Sequence, residues 1–293
     1  MKEKKLKFSG LIMCLVVLLI SVVLQFVGGV LGALPSSIML GIEIAQQGIT
    51  DMEVINQMSA EATASAIELG VVVAHLLIIL TFGLWYGLGI RKKIQTSILG
   101  EVFNAKNIGV TLLMAVSICF AVNFGMEVAV YVIPESIVES YVEMMEMAGF
   151  GESLLTTIAA VCLAPIGEEL VYRGTCMYFA EKFVGGLSKN KAFWIANVIQ
   201  ALGFGVFHMN IIQGTYAFLM GLCLGYLVKR YKSIIPAMIA HCVINACSSF
   251  LWTPVYNVMP QSTLVFGICT VACLAVTALA FKLGGNPITE QEA

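Results

Sequence analysis

Residues 154–183 read LLTTIAAVCLAPIGEELVYRGTCMYFAEKF, an apolar run broken near its middle by Glu168, Glu169 and Arg173. An α-helix advances about 1.5 Å per residue and the hydrocarbon core of a bilayer is about 30 Å thick, so this run is long enough to cross a membrane. An ionised side chain at the bilayer centre costs about 2.5–3.5 kcal/mol. Three of them within six positions are kept only if they pair with one another or carry out chemistry. The stretch therefore predicts a membrane helix with a polar site built into it.

The rest of the chain agrees. Hydrophobic residues make up 59% and charged residues 12%, with a mean hydropathy of +0.92, against about 25% charged content in soluble domains. The expected fold is an all-α, polytopic transmembrane helical bundle of about eight spans: Phe8–Leu31, Ser65–Ile90, Ile108–Ile133, Leu154–Phe183, Phe193–His208, Tyr216–Val228, Ile234–Leu251 and Thr263–Phe281. The fifth and sixth are short, and a re-entrant pair joined by Met209–Thr215 is the alternative there. Segment Pro35–Ala62 reads as an amphipathic helix lying on the outer face.

Basic and acidic clusters alternate along the chain. Lys2, Lys4, Lys5 and Lys7, then Arg91, Lys92, Lys93 and Lys106, then Lys182, Lys189 and Lys191, then Lys229, Arg230 and Lys232, and finally Lys282 enclose acidic stretches. Those stretches hold Glu43, Asp51, Glu53 and Glu61, and then Glu135, Glu139, Glu143, Glu146 and Glu152. The positive-inside bias puts both termini in the cytoplasm, with the chain a multi-pass protein of the plasma membrane. The acidic outer segments are a solvated surface that would also favour basic peptides. The nine cysteines fall mostly within spans as small apolar residues, so no disulfide framework is expected. Three regions follow: 1–153 with the first spans, 154–251 as the functional core, and 252–293 with the last span and a tail.

Residues four apart on a helix share a face, whereas neighbours diverge by about 100°. Glu169 and Arg173 therefore pair, and Glu168 is left as a carboxylate the arginine does not neutralise. Phe204 lies one turn before His208, and His241 one turn before Asn245, each pair on one face. Two of the three histidines thus join an acidic pair and an asparagine on three spans. His75 has no partner at helical spacing and is expected to be structural.

These motifs, E-E-x-x-x-R, F-x-x-x-H and H-x-x-x-N in order, resemble those of the CAAX-processing and bacteriocin-processing intramembrane protease family, also called the Abi family. The resemblance covers about Leu154 to Leu251. It implies that Glu168 and His208 activate a water, that His241 and Asn245 line the site and hold the oxyanion, and that Glu169 and Arg173 support it. It also implies membrane lipids and a membrane-associated or prenylated peptide as partners; no nucleic-acid partner is expected.

Two mechanisms stay open. A buried carboxyl such as Glu168 can take a proton from water and pass it to the leaving amine without a cofactor. Zinc is the alternative, with Glu168, His208 and His241 as ligands, although the H-E-x-x-H arrangement is absent. Two other function classes remain: a non-catalytic immunity or interaction protein, and a proton-coupled transporter, for which inverted repeats would be the sign.

Overall fold

The computed structural model describes residues 6–94, 102–147 and 153–284. Lys2, Lys4, Lys5, Glu152 and the tail after Gly284 lie outside them. The described residues form an all-α bundle. Its helices are α1 (Phe8–Gln47), α2 (Met52–Ile94), α3 (Ala105–Ala129), α4 (Glu135–Met147) and α5 (Leu154–Phe183), followed by α6 (Lys189–Phe207), α7 (Ile211–Tyr231), α8 (Ile235–Phe250), α9 (Trp252–Val258) and α10 (Thr263–Gly284).

Helix α5 is central: α1, α2, α6 and α8 all pack against it. Helices α1 and α2 pair on one flank, α6 and α7 on a second, and α3 and α10 on a third, with α8 against α3 and α4 over the start of α7. Lys7, Lys93, Lys182, Lys229, Arg230 and Lys282 gather at one end of the bundle. There the Lys7 amide donates to the Phe183 carbonyl (2.9 Å) and the Lys93 and Lys182 ammonium groups lie over the Tyr178 ring. The acidic residues of the α1–α2 turn and of α4 mark the opposite end.

Among the described residues, six helices are long and apolar enough to cross a membrane: α1, α2, α3, α5, α7 and α10. Helix α8 makes a seventh if it and α9, joined across a 47° bend, form one span. Helix α6, expected as a span over Phe193–His208, forms as a helix but falls short of that measure, since Lys189, Asn190, Lys191, Asn197 and Gln200 lower its apolarity. Large apolar side chains on the outer surface, such as Leu15, Leu80, Leu219 and Val271, are exposed, as a lipid-facing surface requires. The nine cysteines are all free thiols.

Segment Pro35–Ala62 is not a surface helix. Helix α1 runs without a break through Pro35 to Gln47, and α2 starts at Met52, so the segment is the far half of a helical hairpin. The turn is sharp because Gly48 closes α1 in the left-handed conformation (φ 62°) and the Asp51 carboxylate accepts the Glu53 amide at 2.9 Å. Pro35 costs one backbone donor, yet backbone contact with α2 holds the helix. A Cβ at Gly28 would come within 2.3 Å of the Ala74 Cα, and one at Gly32 within 2.2 Å of the Gly70 amide nitrogen. These glycines form a G-x-x-x-G pair, the small-residue spacing that lets membrane helices touch.

Close packing also fixes α5 against α2. A Cβ at Gly167 would meet Ile78 Cγ2 at 3.1 Å, and one at Gly174 would meet the Tyr86 ring at 3.0 Å. Between α6 and α7, Gly205 and Gly214 let each backbone reach the other's carbonyl, and the Asn197 and Gln200 amides donate to the Leu222 and Gly221 carbonyls, each at 3.0 Å. Their amide nitrogens thereby find acceptors inside the bundle.

Candidate active site

The three motifs meet around the middle of α5. Two π-helical turns interrupt that helix, at Ala159–Leu163 and Leu170–Cys176, on either side of the glutamate pair. Such turns recur at functional sites because they free carbonyls from the helical ladder. In the first, the Ala164 amide bonds the Ala159 carbonyl, so the next donor to Ala160 in that register would be residue 165. That residue is Pro165, which has no N–H. The Asn245 Nδ2 donates to the Ala160 carbonyl instead, at 2.8 Å. In the second turn the Thr175 hydroxyl donates to the Leu170 carbonyl at 2.9 Å.

Glu169 and Arg173 are fully buried and paired, with Nη1 2.9 Å from Oε1. His241, reaching in from α8, donates through Nδ1 to the same Glu169 oxygen, also at 2.9 Å. Its other nitrogen, Nε2, faces Glu168 Oε2 at 3.6 Å, too long for a hydrogen bond but within ion-pair range. Glu168 is the accessible carboxylate of the two, with its side chain 19% exposed against 0% for Glu169. Glu169 thus pairs with Arg173, while Glu168 stands apart from the arginine and faces His241.

Phe204 packs among these groups. The Arg173 guanidinium lies 4.5 Å over its ring, and the His208 and His241 imidazoles meet it edge-on at 4.9 and 5.7 Å. His208 caps the end of α6, where its Nδ1 lies 2.7 Å from the Phe204 carbonyl, leaving Nε2 free. A cavity of about 10 Å³ touches Glu168 and is lined by Ser21, Gln25, His75, Tyr172 and Phe207, among others. It is about the size of a single water.

Ser21 and Gln25 reach the site from α1 and His75 from α2, and none of the three motifs points to them. Their one signal in the sequence is that Gln25 and His75 are polar residues inside apolar spans. Tyr216, at the start of α7, lies near both Glu168 and Tyr141 of α4. Among the described residues, no three His, Cys, Asp or Glu side chains form a group that could hold a metal ion, and Glu168, His208 and His241 are no exception.

Residues 150–247 match the family model of type II CAAX prenyl endopeptidase Rce1-like proteins. Over this segment the chain is similar to the Rce1-like CAAX protease family. The Rce1-like segment covers about a third of the chain and contains every motif residue, from Glu168 to Asn245. With the apolar helices around it, the match supports a multi-pass membrane protein with a CAAX-protease-like segment, a class that acts on peptide substrates among membrane lipids. No curated protein and no solved structure matches the chain.

Proposed function

We propose that this protein hydrolyses a peptide bond of a membrane-associated or lipid-modified peptide, using a water activated by Glu168. The observation that supports it best is the contrast between two adjacent carboxylates. Glu169 is committed to Arg173 and His241, whereas Glu168 faces a water-sized cavity and carries no arginine.

In this mechanism Glu168 accepts a proton as the water oxygen attacks the scissile carbonyl carbon. It then returns the proton to the amine nitrogen as the C–N bond breaks. His241, oriented by its Nδ1–H to Glu169, holds the Glu168 carboxylate through Nε2. His208 presents its free nitrogen to the water or the developing oxyanion, a kind of contact worth about 2.7–4 kcal/mol in other hydrolases. Asn245 has one amide hydrogen committed to Ala160 and contributes by fixing the π-turn beside the site; its second is available to the oxyanion. No step requires a metal.

The test is cleavage of membrane-tethered and prenylated peptides by the purified protein and by Glu168→Gln, each with and without a zinc chelator. Turnover that survives chelation and is lost in Glu168→Gln supports the mechanism. Chelator-sensitive turnover restored by zinc would overturn it in favour of a metalloprotease.

A further inference from the structure

A cavity of about 610 Å³ lies between α1 and α2, outside the Rce1-like segment. It runs from Leu40 and Ser59 near the acidic end down to Gln25 and His75. Gln25 and His75 also line the small cavity at Glu168, so the two spaces share a wall at the candidate catalytic carboxylate. We infer that this α1–α2 groove binds an extended, basic peptide segment of the substrate and delivers it to Glu168 past Gln25 and His75.

The length fits one polypeptide strand. Gln25 to Leu40 spans about 22 Å of helix, and an extended chain covers that distance in about six or seven residues. Its Gly29, Ala33, Ala66 and Gly70 walls are small residues, which leave the space between the helices to the strand.

Polar groups set in a largely apolar wall give a peptide partners that a lipid chain would not use. Gln25 makes no side-chain hydrogen bond to another described residue, and His75 Nδ1 is tied to the Val71 carbonyl (2.7 Å), leaving Nε2 free. Farther out, the Ser59 and Thr63 hydroxyls donate to backbone carbonyls of their own helix and keep their oxygens as acceptors. Depth argues the same way. At about 1.5 Å per residue α1 is roughly 60 Å long, twice the hydrocarbon thickness, whereas α7 and α10 are close to 32 Å. The outer part of the groove thus projects beyond the bilayer core, where a lipid tail would not run. Glu43, Asp51, Glu53 and Glu61 are exposed around that outer part, and no Lys or Arg lies between Lys7 and Arg91. A peptide carrying lysine or arginine is the complementary ligand.

The inference rests on Glu168 as the hydrolytic residue, and its test separates the two claims. A photo-crosslinking amino acid replaces Ala62 in the Glu168→Gln protein. The probe is a biotin-tagged farnesyl-cysteine peptide with seven residues, two of them lysines, before the cysteine and three after it. Crosslinking to the probe is expected, to be lost when Gly29→Phe is added. A Cβ at Gly29 meets no atom within 4 Å, so a side chain there fills the groove without touching the helix contact. Ala66→Phe on the facing helix is the second variant, and thermal unfolding confirms that both fold. The wild type and Gly29→Phe should cleave a probe lacking the seven residues alike, while Gly29→Phe raises KM at least tenfold for the long one. No crosslink to the peptide, crosslinks to lipid alone, or crosslinking unchanged by both fillers would overturn the groove assignment. Cleavage by Glu168→Gln would overturn the catalytic reading, and the crosslinking would then decide the groove by itself.

Discussion

His241 Nδ1 and Glu169 Oε1, 72 residues apart in sequence, are joined at 2.9 Å in the buried centre of the bundle. Because the same oxygen takes the Arg173 Nη1, the arginine, the glutamate and the histidine form one hydrogen-bonded unit, which Glu168 meets at longer range, with its Oε2 3.6 Å from His241 Nε2. The two neighbouring glutamates should therefore fail in different ways.

Glu169→Gln leaves Arg173 as a fully buried cation without its counter-charge, a change that costs about 3–5 kcal/mol in other proteins. The expected result is a large fall in thermal stability in detergent, together with loss of activity. Glu169→Gln combined with Arg173→Met should regain much of the stability and none of the activity. By contrast, Glu168→Gln should unfold like the wild type while losing about 10²–10⁴-fold in turnover. Equal stability losses in the two single variants would contradict this division.

Asn245→Ala removes the donor to the Ala160 carbonyl and should destabilise the protein by about 1–3 kcal/mol. Restoring a backbone N–H with Pro165→Ala gives that carbonyl a local partner. The double variant should then be less destabilised than the sum of the two singles, as read from a denaturation cycle. Strict additivity would mean that the π-turn is held by something other than Asn245.

Two glycines of α1 should respond oppositely to alanine. At Gly28 the added Cβ would overlap the Ala74 backbone, so Gly28→Ala should push the hairpin apart and lower the melting temperature. At Gly41 nothing lies within 4 Å, and Gly41→Ala should stabilise by about 0.5–1 kcal/mol through helix propensity alone. Circular dichroism melts of the two variants check this directly.

The residues legible in the sequence are those whose partners lie one helical turn away. Glu169 with Arg173, and Phe204 with His208, follow from the 3.6-residue period, and the convergence of three motifs follows from the scarcity of polar groups in apolar helices. What a single strip of sequence does not show depends on neighbours from other helices. Pro35 looks like a boundary until Gly28 and Gly32 are seen against Ala74 and Gly70, which turns an apparent surface helix into half of a hairpin. His75 looks solitary because the cavity it shares with Glu168 forms only when α2 packs on α5. Asn245 reads as a ligand-facing amide, but its nearest need is a carbonyl orphaned by Pro165. Hydropathy also overstates α6, whose Asn197 and Gln200 spend their polarity on α7 rather than on solvent or substrate.

The Phe204 ring touches Arg173, His208 and His241, which belong to three different motifs on three helices. A shared neighbour of this kind makes the motifs energetically interdependent: shifting one side chain moves the ring, and the ring moves the others. Substitutions in different motifs should show coupling energies of about 0.5–3 kcal/mol where distant sites would simply add. Any lineage changing one of these positions would therefore meet epistasis at the other two, and the three motifs are constrained to drift together or not at all.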